Sequence, residues 1–221
     1  MKLILFDLDN TLLGGDSDYN WGLFLAEKGI VDPIEQARKN QEFYDDYRAG
    51  KLDIFAFLQF QLGPLAGRSQ AELAVWHAEF MHEKIEPILL PKAQNLIDSY
   101  LADADCLVAI VTATNRFVTA PIAQKLGISH LIATDLEIKN GLYTGNPAGV
   151  PCFQAGKIQR VEMWLHALGQ TWTDFSESWF YSDSCNDLPL LEKVTHPVAV
   201  DADEKLTHHA QTHQWSIISL R

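Results

Sequence analysis

Residues Lys2 to Leu13 read KLILFDLDNTLL, an apolar run that stops at two acids one position apart. A short stretch rich in Leu and Ile, cut off by charge, is the pattern of a strand buried on both faces whose carboxyl end meets water. Similar runs recur at Cys106–Val111 (CLVAIV), Leu131–Ala133, Trp179–Tyr181, Val198–Val200 and Trp215–Leu220 (WSIISL). Between them, apolar residues return at helical spacing. They do so over Pro91–Leu101, over Arg116–Leu126 before Gly127, and over Lys157–Leu168 before Gly169. Strands alternating with helices predict an α/β fold, a mostly parallel sheet flanked by helices on both faces.

Two stretches interrupt the alternation. From Asp16 to about Ile88 the periodicity is helical, with helices predicted over 18–28, 34–48, 53–62 and 69–85. This block is expected to be an inserted helical domain, residues 14–90, set into a core formed by 1–13 and 91–221. The second is Glu137–Gly145 (EIKNGLYTG), where Asn140-Gly141 between β-prone runs predicts a hairpin. In such sheets ligands sit beyond the carboxyl ends of the strands. Asp7, Thr112 and Asp183 each end an apolar run, so three polar strand ends are expected at one crevice.

The chain has 221 residues, 47% of them hydrophobic, enough for a core that needs no disulfide or structural zinc. Its three cysteines have no CxxC spacing, which fits a reducing compartment. Asp7 interrupts the first apolar run too early for a secretory signal, and no apolar stretch of about 18 residues follows, so neither membrane nor export is expected. The expected compartment is the cytoplasm. A net charge of -12 disfavours nucleic-acid backbones. It also means that an anionic ligand must be drawn in by local groups: a metal, a lysine, or backbone amides. The expected partner is a small molecule, and nothing in the sequence sets an oligomeric state.

Asp7 and Asp9 are close enough to repel, and a divalent cation relieves that repulsion. A lone DxD is more often a solvated turn. The segment YSDSCND (181–187) holds Asp183 and Asp187 four positions apart, with Ser184 and Asn186 as neutral contacts or helix caps. Thr112 precedes Ala113, Thr114 and Asn115 ahead of a helix, where a hydroxyl and free amides suit phosphate, or a plain N-cap. Lys157 falls in a helix's first turn, where a cation does not help the helix.

Together these residues resemble the haloacid dehalogenase superfamily, across essentially the whole chain. The DxDxT signature reads Asp7-Leu8-Asp9-Asn10-Thr11, followed by Thr112, Lys157 and the Asp183/Asp187 pair in the family order. The resemblance implies a Rossmann-like core with a type-one cap and Mg²⁺-dependent phosphatase chemistry. Asp7 is then the nucleophile that forms an aspartyl-phosphate, and Asp9 the general acid and base. The Asp7 carboxylate, the Asp9 backbone carbonyl and Asp183 are expected to hold the metal, with Asp187 completing the site through a water. Thr112, Ala113 and Lys157 are expected to bind the phosphoryl group. A phosphotransferase or mutase with the same chemistry and an inactive phosphate-binding scaffold are the competing readings.

Gly15–Ser17 with Trp21, and YSDSCNDLPLLE (181–192), look like the phosphoserine phosphatase-like subfamily. There an acid nine positions after the nucleophile meets the substrate amine, here Asp16 beside Ser17. The arginine that pairs with the serine carboxylate falls by alignment on Gln61, and Gln makes no charged bidentate pair. An amine-bearing phosphomonoester without a carboxylate is therefore expected, with Asp16, Ser17, Gln61 and Asn186 as its contacts. Because IVTATNRFVTAPIA (110–123) and PCFQAGKIQRV (151–161) resemble proteins assigned as histidinol phosphatases, histidinol phosphate leads, ahead of phosphoethanolamine, phosphocholine and phosphoserine. Arg48 is an alternative anion partner. Phe43, Tyr44, Tyr47 and Phe57, at helical spacing, are expected in the core rather than in a pocket. His208, His209 and His213 are expected on the surface, and Cys185 as a bystander.

Overall fold

In a computed structural model describing residues Met1–Arg221, seven strands form one sheet. They are β1 (Lys2–Phe6), β2 (Cys106–Asn115), β3 (His130–Lys139), β4 (Leu142–Ala148), β5 (Glu177–Ser182), β6 (His196–Val200) and β7 (Ser216–Ile218). Their order is β4-β3-β2-β1-β5-β6-β7. Neighbours run parallel except β3 and β4, which make the expected hairpin with Asn140 and Gly141 at φ 53° and 78°. β1 is the middle strand, with Phe6 level with Ile110 on one side and Tyr181 on the other. The chain order reverses about β1, so the crevice opens at its carboxyl end, between β2 and β5.

The helices are α1 (Ser17–Glu27), α2 (Pro33–Ala49), α3 (Ile54–Leu62), α4 (Gln70–Phe80), α5 (Pro91–Leu101), α6 (Arg116–Lys125), α7 (Ala155–Ala167), α8 (Leu188–Leu191) and α9 (Glu204–Thr212). Alternation along β1 divides the core. Leu3 and Leu5 face one cluster with Val161 and Leu165 of α7 and Leu206 of α9. Ile4 and Phe6 face the other, with Ile97 of α5 and Val118 and Ile122 of α6. Each such fully buried side chain contributes about 1.5–3 kcal/mol.

Four helices, α1 to α4, fill the chain between β1 and α5. Asp16, Asp32, Asp53 and Ser69 cap them through their side chains. Trp21, Phe24, Leu58, Leu62, Leu73 and Phe80 from this block join the same cluster as Ile4 and Phe6. The helix expected over 69–85 is shorter: α4 ends at Phe80, and a π-turn over Met81–Ile85 and a 3₁₀ turn over Glu86–Ile88 follow. The backbone stays helical through Glu86 (φ -54°, ψ -40°), and Pro87, which has no N–H to donate back, limits how far the regular bonding can run. The last strand also contracts from WSIISL to Ser216–Ile218. No helix is long and apolar enough to cross a membrane.

Candidate active site

Asp7 continues β1 by one residue, its N–H donating to the carbonyl of Tyr181 at 2.9 Å. The chain then turns sharply. The amides of Thr11, Leu12 and Leu13 all point at the Leu8 carbonyl, and Asn10 takes a left-handed φ of 58°. The turn sets Asp7 and Thr11 over the crevice. Opposite them stands Lys157, in the first turn of α7. Gly156 permits that approach: a Cβ there would lie 2.3 Å from the Pro151 carbonyl oxygen.

Lys157 Nζ lies 2.7 Å from Asp7 Oδ1 and 2.7 Å from Asp187 Oδ2, and Ser182 donates to the same Asp187 oxygen at 2.7 Å. All of these groups are buried. Burial opposes the lysine charge, but Asp187 and Asp7 outweigh it and hold the ammonium above its usual range. Burial lifts the Asp7 carboxyl to about 7, with Lys157 pulling it down and Asp187 and Asp9 pushing it up.

Asp183 completes this end. Its N–H donates to Thr11 Oγ1 at 3.0 Å, and that hydroxyl lies 3.3 Å from Asp183 Oδ1 and 3.4 Å from Asp7 Oδ2. One hydroxyl proton cannot serve two oxygens, so either Asp7 Oδ2 or Asp183 Oδ1 is without it. Burial, then Asp7 and Asp187, push Asp183 well above the ordinary carboxylate range. No three acidic, His or Cys side chains close into a metal cage. The donor set offered is the pair Asp7 and Asp183. That fits magnesium, which takes one or two carboxylates and fills its shell with water and phosphate oxygens. Asp187 is engaged by the lysine and Ser182, and the Asp9 carboxylate by Ser17 and Thr114, while the Asp9 backbone carbonyl accepts no backbone hydrogen bond.

Asp9 Oδ1 accepts from the Ser17 amide at 2.6 Å, and Oδ2 accepts from the Thr114 hydroxyl at 2.7 Å. Burial and the neighbouring Asp16 raise its carboxyl to about 6, against these hydrogen bonds. Thr112 neither ends its strand nor caps a helix. β2 runs on to Asn115 with a register shift against β3 after Val111, and Asn115 caps α6 by accepting from Val118 at 3.1 Å. Thr112 Oγ1 accepts from Thr114 N at 3.2 Å. Thr112, Ala113 and Thr114 together line the cavity. Thr114 carried no sequence signal, since its role depends on β2 extending beyond the apolar run.

The remaining expected contacts separate. Asp16 lines the cavity while capping α1 through Tyr19 N at 2.9 Å, and Gln61 lines it with its amide 3.5 Å from the Asp18 carbonyl. Ser17 contributes its backbone amide to Asp9 and is fully buried. Asn186 does not line the cavity. Its amide donates to the Tyr47 carbonyl of α2 at 2.9 Å and its oxygen accepts from Gln154 at 3.2 Å, so it ties α2 to the loop after β5. The aromatics expected in the core form the cavity wall instead. Phe43, Tyr44, Tyr47 and Phe57 all line it, and none is buried in either cluster. Phe43, Tyr44 and Tyr47 come from α2 and Phe57 from α3; Phe43 and Phe57 meet edge to face with ring centroids 5.4 Å apart, so the two helices wall the crevice together. Arg48 is exposed at a neighbouring opening with Asp201 and Asp203. His208 and His213 are exposed and His209 is partly covered, 3.6 Å from Glu192. Burial, then Asp203, raises the Cys185 thiol to about 11, so it stays protonated.

The family model of haloacid dehalogenase-like hydrolases matches residues 4–192, from β1 to just beyond α8. The chain belongs to this family. Within it, the chain is a hydrolase of phosphoric monoesters. It is 43% identical to a histidinol-phosphatase of Neisseria meningitidis serogroup C over all of this chain and 99% of that one. It is 30% identical to a phosphoserine phosphatase of Mycobacterium tuberculosis, over 98% of this chain and 70% of the relative. Among solved structures, a protein of unknown function from Bordetella pertussis superposes with a TM-score of 0.93 at 49% identity, covering 100% and 99% of the two chains. A substrate-bound phosphoserine phosphatase superposes at 0.67 with 20% identity, over 100% and 93%, which shows a shared fold.

Proposed function

We propose that this family hydrolase is a Mg²⁺-dependent phosphatase of small amine-bearing phosphate esters, with histidinol phosphate as substrate. The observation that carries the chemistry is the Asp7–Lys157 contact at 2.7 Å, a buried carboxylate held beside one cation at a strand end. Asp7 attacks phosphorus as the bond to the leaving oxygen breaks, and Asp9 gives that oxygen a proton. Water then attacks the aspartyl-phosphate, Asp9 takes a proton back, and inorganic phosphate leaves. Lys157 and Thr112 neutralise and orient phosphoryl oxygens. Asp7 and Asp183 would hold Mg²⁺, which supplies charge neutralisation at the phosphate. Asp187 supports this set by orienting Lys157.

Substrate choice rests on the cavity wall. Lys157 is the only Lys or Arg that lines it, and Asp7 and Asp187 already occupy that ammonium. A substrate carboxylate would enter without a second cation to pair with, which disfavours phosphoserine. An amine would meet Asp16, and an imidazole would lie against Phe43, Tyr44, Tyr47 and Phe57. The relative named histidinol-phosphatase supports the same choice. In this reading, residues 14–90 act as a cap over a core of 1–13 and 91–221, and water rather than a sugar hydroxyl is the acceptor. Three free cysteines fit the reducing conditions of a cytoplasm.

The test is a phosphate-release panel of histidinol phosphate, phosphoserine, phosphoethanolamine, phosphocholine and sugar phosphates, with Mg²⁺ or with EDTA. Histidinol phosphate is expected to give the highest kcat/KM, with no turnover in EDTA. Asp7→Asn is expected to lose at least about a thousandfold in kcat. A faster reaction with phosphoserine overturns the substrate, and normal turnover by Asp7→Asn overturns the nucleophile.

A further inference from the structure

Asp18 lies in the first turn of α1, 3% exposed, in the cavity wall. Its Oδ1 accepts from Asn115 Nδ2 at 3.3 Å, a contact that joins α1 to the cap of α6. Its Oδ2 is buried and has no partner. An ionised carboxylate offers about four acceptor sites, and buried ones are ordinarily filled. Burial, then the neighbouring Asp16 and Asp9, push its carboxyl well above the ordinary carboxylate range, so that it ionises only when a cation stands beside it. An acid in a helix's first turn is an ordinary stabilising choice on a surface. Buried here, with one oxygen bare and like charges around it, the acid costs stability instead.

The occupant that would satisfy this oxygen must bring an N–H donor and positive charge from the cavity side. We propose that Asp18 is a specificity-determining residue that receives the protonated amine of the leaving group, sharing it with Asp16. This rests on the phosphatase reading above. Each acid has one oxygen bonded, Asp16 to the Tyr19 amide and Asp18 to Asn115; they differ in burial, since Asp16 is only partly covered while the second oxygen of Asp18 is buried without a partner. Asn115 orients Asp18, and Gln61 fixes the same turn through the Asp18 carbonyl. The amine is thereby anchored beside Asp9, which protonates the leaving oxygen. Recognition of the cation and delivery of the proton are then assigned to adjacent side chains of one short segment.

The experiment is a cycle of two enzymes and two substrates, all with Mg²⁺. Wild-type protein and Asp18→Asn are each measured with histidinol phosphate and with its deaminated analogue, imidazolylpropyl phosphate. In the wild type, loss of the amine is expected to lower kcat/KM by roughly tenfold or more, mostly through KM. In Asp18→Asn the same loss is expected to cost less than about threefold, because the partner is gone. Equal factors in the two enzymes overturn the role of Asp18 and leave its oxygen to an internal water. A wild type indifferent to the amine overturns both this role and the amine-bearing substrate itself. Thermal unfolding checks that Asp18→Asn is folded; if it is not, Asp18→Ser carries the same comparison.

Discussion

The Thr114 hydroxyl donates to Asp9 Oδ2 at 2.7 Å, across a sequence separation of 105 residues. The second acid of the signature is thus held from the far end of β2, with the Ser17 amide on its other oxygen. The Thr114 bond works against the burial that raises Asp9 to about 6. Removing it raises the Asp9 pKa further. Thr114→Val is therefore expected to move the alkaline limb of the kcat/KM profile to higher pH and to lower kcat roughly tenfold. An unmoved limb would separate Thr114 from the proton transfer.

Lys157 is the cation that two buried carboxylates share. Lys157→Met keeps the stem and leaves Asp7 and Asp187 facing each other without a counter-charge. A loss of about 3–5 kcal/mol in unfolding free energy is expected at neutral pH, since breaking a buried pair strands its partner. Urea unfolding of the metal-free proteins measures it.

The acids at the site make stability depend on pH in an unusual direction. Asp7 and Asp9 have folded values of about 7 and about 6, above those of unfolded carboxyls near 4. Between these values the native state binds more protons than the unfolded chain, so stability falls as pH rises. Without metal, Tm is expected to drop by roughly 5 °C or more from pH 4.5 to 7.5. Mg²⁺ is expected to recover much of the loss at pH 7.5, because it binds the ionised native state. Calorimetry with EDTA and with Mg²⁺ decides it; a Tm that rises across this range without metal refutes the assignment.

Gln61 stands in the cavity wall where a cation would be needed to hold a substrate carboxylate. Gln61→Arg is expected to raise the ratio of kcat/KM for phosphoserine over histidinol phosphate about tenfold. An unchanged ratio would mean that the substrate's far end lies elsewhere.

Asn186 bonds to the Tyr47 carbonyl at 2.9 Å and ties α2 to the loop after β5. Asn186→Ala is expected to raise KM several-fold and to speed amide exchange in α2 and α3, with kcat changed less. Exchange unchanged in both helices would remove the tie from consideration.

Much of this protein was determined by local sequence. KLILF followed by Asp7, the Asn140-Gly141 hairpin and the helix stops at Gly127 and Gly169 depend on periodicity and turn chemistry within a few residues. That is enough to place Asp7, Lys157, Asp183 and Asp187 at the ends of elements around one crevice. Folding decided the rest. Thr114 reaches Asp9 only because β2 continues past its apolar run, and α4 passes into a π-turn at Met81 within a stretch that periodicity reads as one helix. Phe43, Tyr44 and Tyr47 lie in α2 and Phe57 in α3; whether their sides meet core or cavity depends on where the two helices lie against the sheet. Asp18 shows the limit most plainly. Near a helix start it is an ordinary residue, and its bare oxygen exists only because Asn115, from a strand 97 residues away, packs against one side of it and leaves the other without a donor.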